Sequence, residues 1–392
     1  MQLVLLDEPL RRENLKPFTL TRPISQIRCG ILTLAEKWAH YLGQNPAYLT
    51  EGYLQAKYPH REASAYLLIN AALLPHPALV AEIRQLPPQS VLVHGPDSLA
   101  WHLSSPFRFE DLGKLRTVAS QTKIQLIQYL PDIFVLNGAQ IAADFQLLTQ
   151  GRRSTPIQDP HTVLYGAENI FVEEGVKIKA AVLNAESGFI YLGKNAQVQE
   201  GSLIQGNFAL GEGAVLSPGA KMRGDTTIGP YCKVGGEVSN SVFFGYSNKA
   251  HDGFLGNSVL GEWCNLGADT NTSNLKNNYS SVKIWNYAQR EFMDTGRTFC
   301  GLMMGDHSKA GINTMFNTGT VVGVNANVFG AGFPPKFVPS FSWGGADGWE
   351  TFALDKALEV ARRMMARRNR DLDEIEIQLL TEVFAQEIPS KP

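Results

Sequence analysis

The chain has few cysteines, almost no net charge and no long apolar run, and each of these absences excludes a class of protein. Its 392 residues include four cysteines, none in a Cys-x-x-Cys pair. This argues against a structural zinc site or a disulfide scaffold and favours a reducing cytoplasm. The net charge of −2 provides no field that would gather nucleic acid or an anionic membrane. No stretch approaches the roughly 18 apolar residues of a membrane span, and no signal peptide is evident. We therefore expect a globular protein that binds neither nucleic acid nor a membrane.

Apolar runs and helix-like stretches alternate at the start of the chain. The segments QLVLL, AYLLIN and SVLVHG have the composition of buried strands, and ILTLAEKWAHYL and PALVAEIRQL that of helices. This alternation predicts an α/β domain with a mostly parallel sheet, whose ligands lie at the carboxyl ends of the strands. The Gly- and Pro-containing stretch GRRSTPIQDP ends the pattern. We therefore place the first domain at residues 1–155.

An apolar residue recurs at every sixth position in the next segment, residues 156–345. Eight consecutive positions follow this rule without a miss: Leu192, Val198, Ile204, Leu210, Leu216, Met222, Ile228 and Val234. If roughly 45% of residues are apolar, chance gives such a run with a probability of order one in several hundred per frame. A β-sandwich with coincidental spacing is therefore the weaker interpretation. The period predicts a parallel β-helix of hexapeptide repeats, in which each hexad forms one short strand and one corner.

The last segment, residues 346–392, has an amphipathic helical pattern. Its apolar positions Leu354, Leu358, Ala361 and Met365 fall on one face, which predicts one or two helices. The same segment carries the basic residues Arg362, Arg363, Arg367, Arg368 and Arg370. A solvated basic face is the simpler interpretation, and a phosphate-binding patch is the alternative.

The hexad count fails twice inside the repeat domain, between Val242 and Leu260 and at an insertion over 272–300. Such interruptions are where loops, and hence sites, project from a regular wall. His251 lies in the first interruption, and His307 is the other histidine well inside the domain. Imidazole suits proton transfer near neutral pH, although a lone histidine is more often structural.

The stretch AHDGFLGNSVLGEWCNLGADT resembles the acetyltransferase half of the GlmU family, the bifunctional N-acetylglucosamine-1-phosphate uridyltransferase/glucosamine-1-phosphate N-acetyltransferases. His251, Phe254-Leu255-Gly256, Leu260-Gly261 and Asn265-Leu266-Gly267-Ala268 keep the spacing of that family. The resemblance implies a left-handed β-helix that assembles as a homotrimer. It also implies that His251 is the general base for acetyl transfer from acetyl-CoA to an amino-sugar 1-phosphate.

Further site residues follow from the same resemblance. The implied substrate-binding residues are Lys249, Phe254, Asn265, Asn274 and Lys233, and the implied acetyl-CoA contact is Ala268. Two positions depart from the family pattern. Phe254 stands where the family has a tyrosine, which removes a hydroxyl donor, and Lys233 lies where an arginine would supply a bidentate fork.

The first domain lacks the Gly-rich loop that cradles phosphates in sugar nucleotidyltransferases, and VLLDEPLRREN stands in its place. Even so, LKPFTLTRPISQIRCGILTLAEKW resembles the start of that domain in a divergent GlmU-like branch, which implies phosphate contacts from Arg22, Arg28 and Lys37. The stretch DIFVLNGAQIAADFQLLTQGR is similar to the place where nucleotidyltransferases bind Mg²⁺. This suggests that Asn137 and Asp97 lie near the metal. The alternative is that both are ordinary turn or loop residues.

These observations predict a cytoplasmic transferase that uses an amino-sugar phosphate, an acyl-CoA and a nucleoside triphosphate as small-molecule substrates. Three alternatives remain: an acyltransferase with a non-catalytic first domain, a trimeric scaffold that binds nucleotide sugars, and a zinc carbonic anhydrase of the same fold. The last needs three histidine ligands, and the repeat domain offers two in its core, which disfavours it.

Overall fold

The computed structural model describes residues 1–104 and 109–388 and divides the chain into two compact units. The first unit contains Met1–Leu15, Thr21–Ile27 and Leu32–Tyr129. The second contains Lys16–Leu20, Arg28–Ile31 and Leu130–Pro392. In the described ranges, no helix is both long enough and apolar enough to cross a bilayer.

A six-stranded mixed sheet forms the centre of the first unit. Its strands are β1 (Gln2–Leu6), β2 (Ala47–Leu49), β3 (Ala65–Asn70), β4 (Ser90–His94), β5 (Asp97–Ser104) and β6 (Arg116–Ala119), in the spatial order β2-β1-β3-β5-β4-β6. β1 pairs in parallel with β2 and β3, whereas β5 is antiparallel to both of its neighbours. The expectation of a mostly parallel sheet is therefore confirmed, since β4 also pairs in parallel with β6. The antiparallel strand β5 was not predicted, and it returns directly from β4 through a short turn instead of a helical crossover.

The α-helices among the described residues of the first unit are α1 (Pro9–Asn14), α2 (Leu34–Leu42) and α3 (Pro77–Arg84). Short 3₁₀ helices occur at Ile24–Gln26, Gly52–Leu54 and Phe109–Lys114. The α2 helix begins where Thr33 and Glu36 form a capping box, with the Thr33 hydroxyl accepting from the Glu36 N–H at 3.2 Å. α1 follows β1 after only two residues, so a helix occupies the place of the missing Gly-rich loop.

The second unit is a parallel β-helix with three walls, as the six-residue period predicted. The first wall contains Val163–Tyr165, Val182–Asn184, Leu203–Gln205, Lys221–Met222, Glu237–Ser239 and Phe254–Gly256. The second wall contains Ile170–Val172, Ile190–Leu192, Phe208–Leu210, Thr226–Ile228, Val242–Gly245, Val259–Glu262, Met303–Met304, Val321–Val322 and Phe337–Val338. The third wall contains Lys177–Ile178, Gln197–Val198, Val215–Leu216, Lys233–Val234, Asn248–Lys249, Asn265–Leu266, Lys309–Ala310, Asn327–Val328 and Ser342–Gly345. Gly348–Thr351 extends this wall as an antiparallel strand beside Ser342–Gly345.

The repeated apolar residues fill the interior of this β-helix. All eight positions of the period, from Leu192 to Val234, are buried in one continuous core. Successive members fall on successive walls, because each hexad supplies one strand and one corner. The fold class predicted for this segment is confirmed.

The walls are not interrupted between Val242 and Leu260, and this expectation was wrong. Each wall receives its strand in that stretch, with Phe243 and Lys249 at inward positions of the second and third walls. The count of six fails because some steps between inward residues are shorter, first from Val234 to Val238 and, within this stretch, from Leu255 to Leu260. His251 therefore lies at a corner of a complete coil and not on a projecting loop.

The insertion over 272–300 does leave the walls, as predicted. Its strands Lys283–Asn286 and Glu291–Asp294 form an antiparallel hairpin. Trp285 of this hairpin stacks on Phe337 with ring centroids 4.4 Å apart. The coil resumes after the insertion with Met303–Met304 on the second wall. Asn271–Thr272, just before the insertion, pairs with Met315–Phe316 one coil further on.

The described part of the second unit also contains the α-helices α4 (Asp132–Thr149), α5 (Leu354–Ala366) and α6 (Glu374–Glu387). A 3₁₀ helix also occurs at Phe18–Leu20 and another at Ala167–Asn169. α5 and α6 are the helices predicted for the C-terminal segment, and Ala361 and Met365 of α5 are buried as its apolar face requires. The predicted domain limits at 155 and 345 remain predictions, and residues 389–392 lie outside the described part of the chain.

Candidate functional site

A cavity of about 700 Å³ lies against the third wall of the β-helix, and we call it the third-wall pocket. A volume of this size suits a drug-sized or cofactor-sized ligand. Its lining residues are Lys233, Tyr246, Asn248, Ala250, His251, Trp263, Asn265, Leu266, Gly267, Ala268, Lys309, Ile312, Arg363, Met364, Arg367 and Arg368. None of these described residues is acidic.

Outward-facing polar side chains form one side of the third-wall pocket. Lys233 pairs in register with Asn248, Asn248 with Asn265, and Asn265 with Lys309. Side chains at such positions point to the same face, because strand residues alternate between the two faces of a sheet. The inward neighbours of these residues fill the core, and the outward ones make a polar column along the pocket.

Stacked aromatic rings form an adjacent edge of the pocket. Tyr246 and Trp263 lie at equivalent corners of successive coils, with ring centroids 4.3 Å apart and planes 13° from parallel. Tyr231 extends this stack on one side, at 5.2 Å from Tyr246. The pocket therefore offers an aromatic surface beside its polar column.

Arginines of the C-terminal helix α5 and the turn after it complete the lining. The Arg368 guanidinium donates a hydrogen bond to Oδ1 of Asn248 at 2.9 Å. Arg363 and Arg367 line the pocket with exposed side chains, whereas Arg362 is exposed and does not line it. Arg370 is also exposed outside the lining and donates to the Tyr246 hydroxyl at 3.3 Å. The solvated-face interpretation thus fits Arg362 and Arg370, whereas Arg363, Arg367 and Arg368 add positive charge to the pocket.

Lys309 lies at the base of this basic region. Its ammonium donates to the backbone oxygen of His307 at 2.6 Å. Burial lowers the pKa of Lys309 to about 8, because the charged form loses hydration. An anionic ligand in the pocket would stabilise the charged form of Lys309 and so raise its pKa again.

Four of the seven residues predicted for the acetyltransferase site line the third-wall pocket, namely Lys233, His251, Asn265 and Ala268. The His251 side chain is exposed. It makes no hydrogen bond within the described ranges, which leaves the ring free for a substrate.

The other three predicted residues lie elsewhere in the second unit. Asn274 donates to Oδ1 of Asn257 at 2.8 Å, and its amide lies beside the Phe254 ring against Gly256. Neither Asn274 nor Phe254 belongs to the lining of the third-wall pocket. The Lys249 side chain points into the core and is 1% exposed, so it cannot contact a substrate in the pocket.

The first unit has a cavity of its own, of about 720 Å³, which we call the first-unit cavity. It lies where β1, β2 and β3 end, as the rule for ligand sites of α/β sheets predicts. It is lined by Leu6, Asp7, Glu8, Pro9, Arg11, Arg12, Leu49, Thr50, Glu51, Gly52, Gln55, Asn70, Pro96, Asp97, Ser98 and Trp101.

A buried ion pair anchors the floor of the first-unit cavity. Nη1 of Arg12 lies 2.7 Å from Oδ2 of Asp7, and both side chains are almost fully buried. Asp7 also accepts hydrogen bonds from the Thr50 hydroxyl and the Ile24 N–H. Burial raises the pKa of Asp7, while the Arg12 charge acts in the opposite direction.

The three basic residues predicted to contact phosphates do not line the first-unit cavity. Arg22 and Lys37 are buried in the first unit. Arg28 belongs to the second unit, where its Nε donates to the Phe244 carbonyl at 3.1 Å. Arg11 and Arg12 are the basic residues of the cavity instead, because α1 carries them directly after β1.

The structure does not support the predicted Mg²⁺ site. Asn137 is fully buried in α4 of the second unit, where its amide contacts Asp225 and Thr227 and its oxygen accepts from the Gly30 N–H. Asp97 lies in the first-unit cavity and pairs with Arg11. Within the described ranges no group of three His, Cys, Asp or Glu residues could hold a metal ion. Asn137 is a structural residue, and neither a turn nor a ligand.

Sequence reasoning missed several residues of the two cavities. Arg11 and Arg12 are visible in the sequence as part of VLLDEPLRREN, directly after a predicted strand, and that position was a usable signal. Tyr246, Trp263 and Lys309 lie on different coils, and only the register of the walls brings them together.

Fold and cavities together define an α/β unit followed by a hexapeptide-repeat β-helix. Residues 3–153 match the sugar nucleotidyl transferase family model. A bifunctional sugar-1-phosphate nucleotidylyltransferase/acetyltransferase of Sulfurisphaera tokodaii is 31% identical over 160 residues, which cover 40% of this chain and 37% of the relative. The bifunctional protein GlmU of Trichormus variabilis is 33% identical over 129 residues, covering 32% and 26%. The matches thus span about a third of these relatives' lengths, and they support a divergent GlmU-like family, as the motifs predicted.

A solved UDP-N-acetylglucosamine acyltransferase of Arabidopsis is 18% identical to this chain. The alignment covers 53% of this chain and 76% of that one, with a TM-score of 0.26.

Proposed function

We propose that the chain is a transferase of sugar-nucleotide metabolism and that its β-helix acetylates an amino-sugar 1-phosphate with acetyl-CoA. The single observation that carries this proposal is the third-wall pocket, where His251 lies in a basic cavity whose described lining contains no carboxylate. Both substrates carry phosphate groups, which such a cavity favours. The acceptor we favour is glucosamine 1-phosphate.

His251 is the general base in this proposal. As the neutral amine of the acceptor attacks the thioester carbonyl carbon, the imidazole takes a proton from the nitrogen. The tetrahedral intermediate then collapses, the C–S bond breaks, and the imidazolium returns the proton to the departing CoA sulfur. The side-chain amide of Asn265, which lines the same pocket, can donate to an acceptor oxygen.

The basic and aromatic residues supply the CoA contacts in this proposal. Arg363, Arg367 and Lys309 provide charge for phosphate groups, and the rings of Tyr246 and Trp263 provide a stacking surface for a base. Because Arg368 is held by Asn248, the turn after α5 is fixed against the third wall. The homotrimer implied by the resemblance remains a prediction.

Replacing Arg367 by methionine is expected to weaken CoA binding roughly tenfold, because one charge-assisted phosphate contact is lost while the length of the side chain is kept. Isothermal titration with CoA measures the effect. Arg362→Met is the matched control, since Arg362 is an exposed arginine of the adjoining helix α5 that does not line the pocket. Equal affinities for the two variants would show that Arg367 does not bind CoA.

A trimeric scaffold that binds nucleotide sugars is the alternative, motivated by the missing Gly-rich loop. A scaffold that catalyses no acyl transfer is not expected to bind acetyl-CoA. Wild-type protein that binds nucleotide sugars but shows no CoA binding in the same titration would favour it.

We further propose that the first unit transfers a uridylyl group from a nucleoside triphosphate to a sugar 1-phosphate. The supporting observation is the first-unit cavity, which lies at the carboxyl ends of three parallel strands within the segment that matches the sugar nucleotidyl transferase family. In this reaction a sugar-phosphate oxygen attacks the α-phosphorus and pyrophosphate leaves. Nη1 of Arg11, a residue that lines this cavity, is buried without a hydrogen-bond partner among the described residues, and a buried donor of this kind gains from an added acceptor.

We expect Arg11→Met to weaken binding of UTP by roughly tenfold, because the freed Glu8 and Asp97 carboxylates then repel the phosphates. Fluorescence or calorimetric titration with UTP measures the change. Arg116→Met serves as the control, since Arg116 is exposed on β6 and does not line the cavity. Unchanged UTP affinity in Arg11→Met would contradict this placement of the nucleotide.

A further inference from the structure

Lys249 occupies a position in the β-helix that its neighbours fill with apolar side chains. It points inward from the third wall, in register with Val234, and its side chain is 1% exposed. The corresponding inward residues of nearby coils are Leu216, Val234, Leu266 and Ala310. Lysine is almost never fully buried unless it is paired. A lysine here breaks the local rule of the fold, and such exceptions concentrate at functional sites.

The Lys249 ammonium contacts two backbone carbonyls. Nζ donates to the Gly235 oxygen at 3.1 Å and to the His251 oxygen at 2.9 Å. Gly235 lies on the preceding coil, and His251 is two residues beyond Lys249 at the next corner. Burial lowers the pKa of Lys249 to about 8, although the charges of Asp252 and Asp269 partly offset this. Both of these hydrogen bonds of the buried Lys249 ammonium therefore bind the backbone next to the corner that carries His251.

The surrounding backbone leaves room for the ammonium. A Cβ on Gly236 would lie 2.9 Å from Nζ of Lys249 and 2.8 Å from the Gly253 oxygen, closer than real Cβ contacts come. Gly236 also has φ +68°, in the region that favours glycine. Any larger residue would displace either the ammonium or the corner that carries His251.

We propose that Lys249 is a positioning residue whose buried ammonium holds the backbone carbonyl of His251 and so fixes the direction in which the imidazole enters the third-wall pocket. The inference rests on the proposed role of His251 as general base. The same corner is held on its other side by the Asp269 N–H, which donates to the Asp252 oxygen at 3.2 Å. The carbonyls of His251 and Asp252 are thus both hydrogen-bonded. The His251 side chain has no hydrogen bond of its own in the described ranges, so the position of the imidazole depends on the backbone of this corner.

The test is Lys249→Met, which keeps the length of the side chain and removes both hydrogen bonds. We expect kcat for acetyl transfer to fall at least about tenfold, because misplaced catalytic groups lose rate steeply, while KM for acetyl-CoA stays within about twofold. The melting temperature should hold or rise, because a buried charge has been replaced by an apolar group. Leu216→Met is the matched control, an inward substitution on the same wall away from the pocket. Lys249→Leu repeats the test if the methionine variant does not fold.

Two outcomes would overturn the proposal. The first is a stable Lys249→Met protein with wild-type kcat, and the second is a joint loss of melting temperature and kcat, which a purely structural lysine would give. If wild-type protein transfers no acetyl group, the proposed function fails, and the position of His251 is then tested by NMR of ¹⁵N-labelled imidazoles. The signals absent from His251→Ala should shift in Lys249→Met and remain in Leu216→Met. Unchanged signals contradict the positioning role.

Discussion

His251→Ala is expected to lower kcat for acetyl transfer by at least about a hundredfold, the lower end of what general-base catalysis contributes. KM for acetyl-CoA should change little, because Arg363, Arg367 and Lys309 remain in the third-wall pocket. A loss in kcat with an unchanged KM is the pattern of a group that acts in the transition state and not in binding. Steady-state assays of CoA thiol release measure both constants.

The control for this substitution is His161→Ala. His161 is also an exposed histidine of the second unit, but it does not line the third-wall pocket. Its replacement should leave kcat and KM within about twofold of wild type, because surface changes away from the site are nearly neutral. Equal activity of the His161 and His251 variants would contradict the assignment of the base.

Arg12→Ala is expected to destabilise the first unit by about 3–5 kcal/mol, because it leaves the Asp7 carboxylate buried without its counter-ion. The loss should shrink at lower pH. Burial already raises the pKa of Asp7, and removing Arg12 raises it further, so the native state binds a proton more readily than the unfolded state. Stability relative to wild type should therefore recover as the pH falls toward the pKa of Asp7.

Hydrogen exchange of the β1 and β3 amides in the full chain reports this local free energy of opening. Arg116→Ala is the control, since Arg116 is exposed on β6 and its loss should cost less than about 0.5 kcal/mol. Adding Asp7→Asn to Arg12→Ala should recover part of the loss. Equal protection in Arg12→Ala and Arg116→Ala would show that the ion pair does not stabilise the first unit.

The β-helix could be predicted from the sequence because its constraint is local and repeated. Each inward position must be apolar, so Leu192 to Val234 report the fold without any knowledge of distant contacts. The prediction failed where coils shorten their corners, since a fixed count of six then points at the wrong residues. The inward position of Lys249 was also not predicted, because a lysine breaks the apolar pattern by which inward positions are recognised.

The alternation of strands and helices likewise predicted the α/β class of the first unit, but not the direction of β5. The direction of a strand depends on whether a tight turn or a helical crossover connects it to the strand before it. The composition of the turn between β4 and β5 does not distinguish these two connections clearly. The predicted helix ILTLAEKWAHYL appears as α2, because its capping residues Thr33 and Glu36 act within one turn.

The candidate sites were predicted in part. The motif around His251 includes Asn265 and Ala268, and all three residues line one pocket because the motif spans adjacent coils. Lys233, which lies outside the motif, lines the same pocket. The roles suggested for Arg22, Lys37 and Asn137 depended on exposure, which sequence alone does not give. Asn137, for example, contacts Thr227, ninety residues away along the chain. Tertiary contacts of this length override a local pattern such as Asn-Gly.

Release of free CoA thiol from acetyl-CoA with glucosamine 1-phosphate, in wild type and in His251→Ala, is the most direct test of acetyl transfer by this protein. We expect thiol release that requires the sugar phosphate, with a rate at least about a hundredfold lower in the variant. Wild-type release no faster than that of His251→Ala, or release that does not depend on the sugar phosphate, would contradict it.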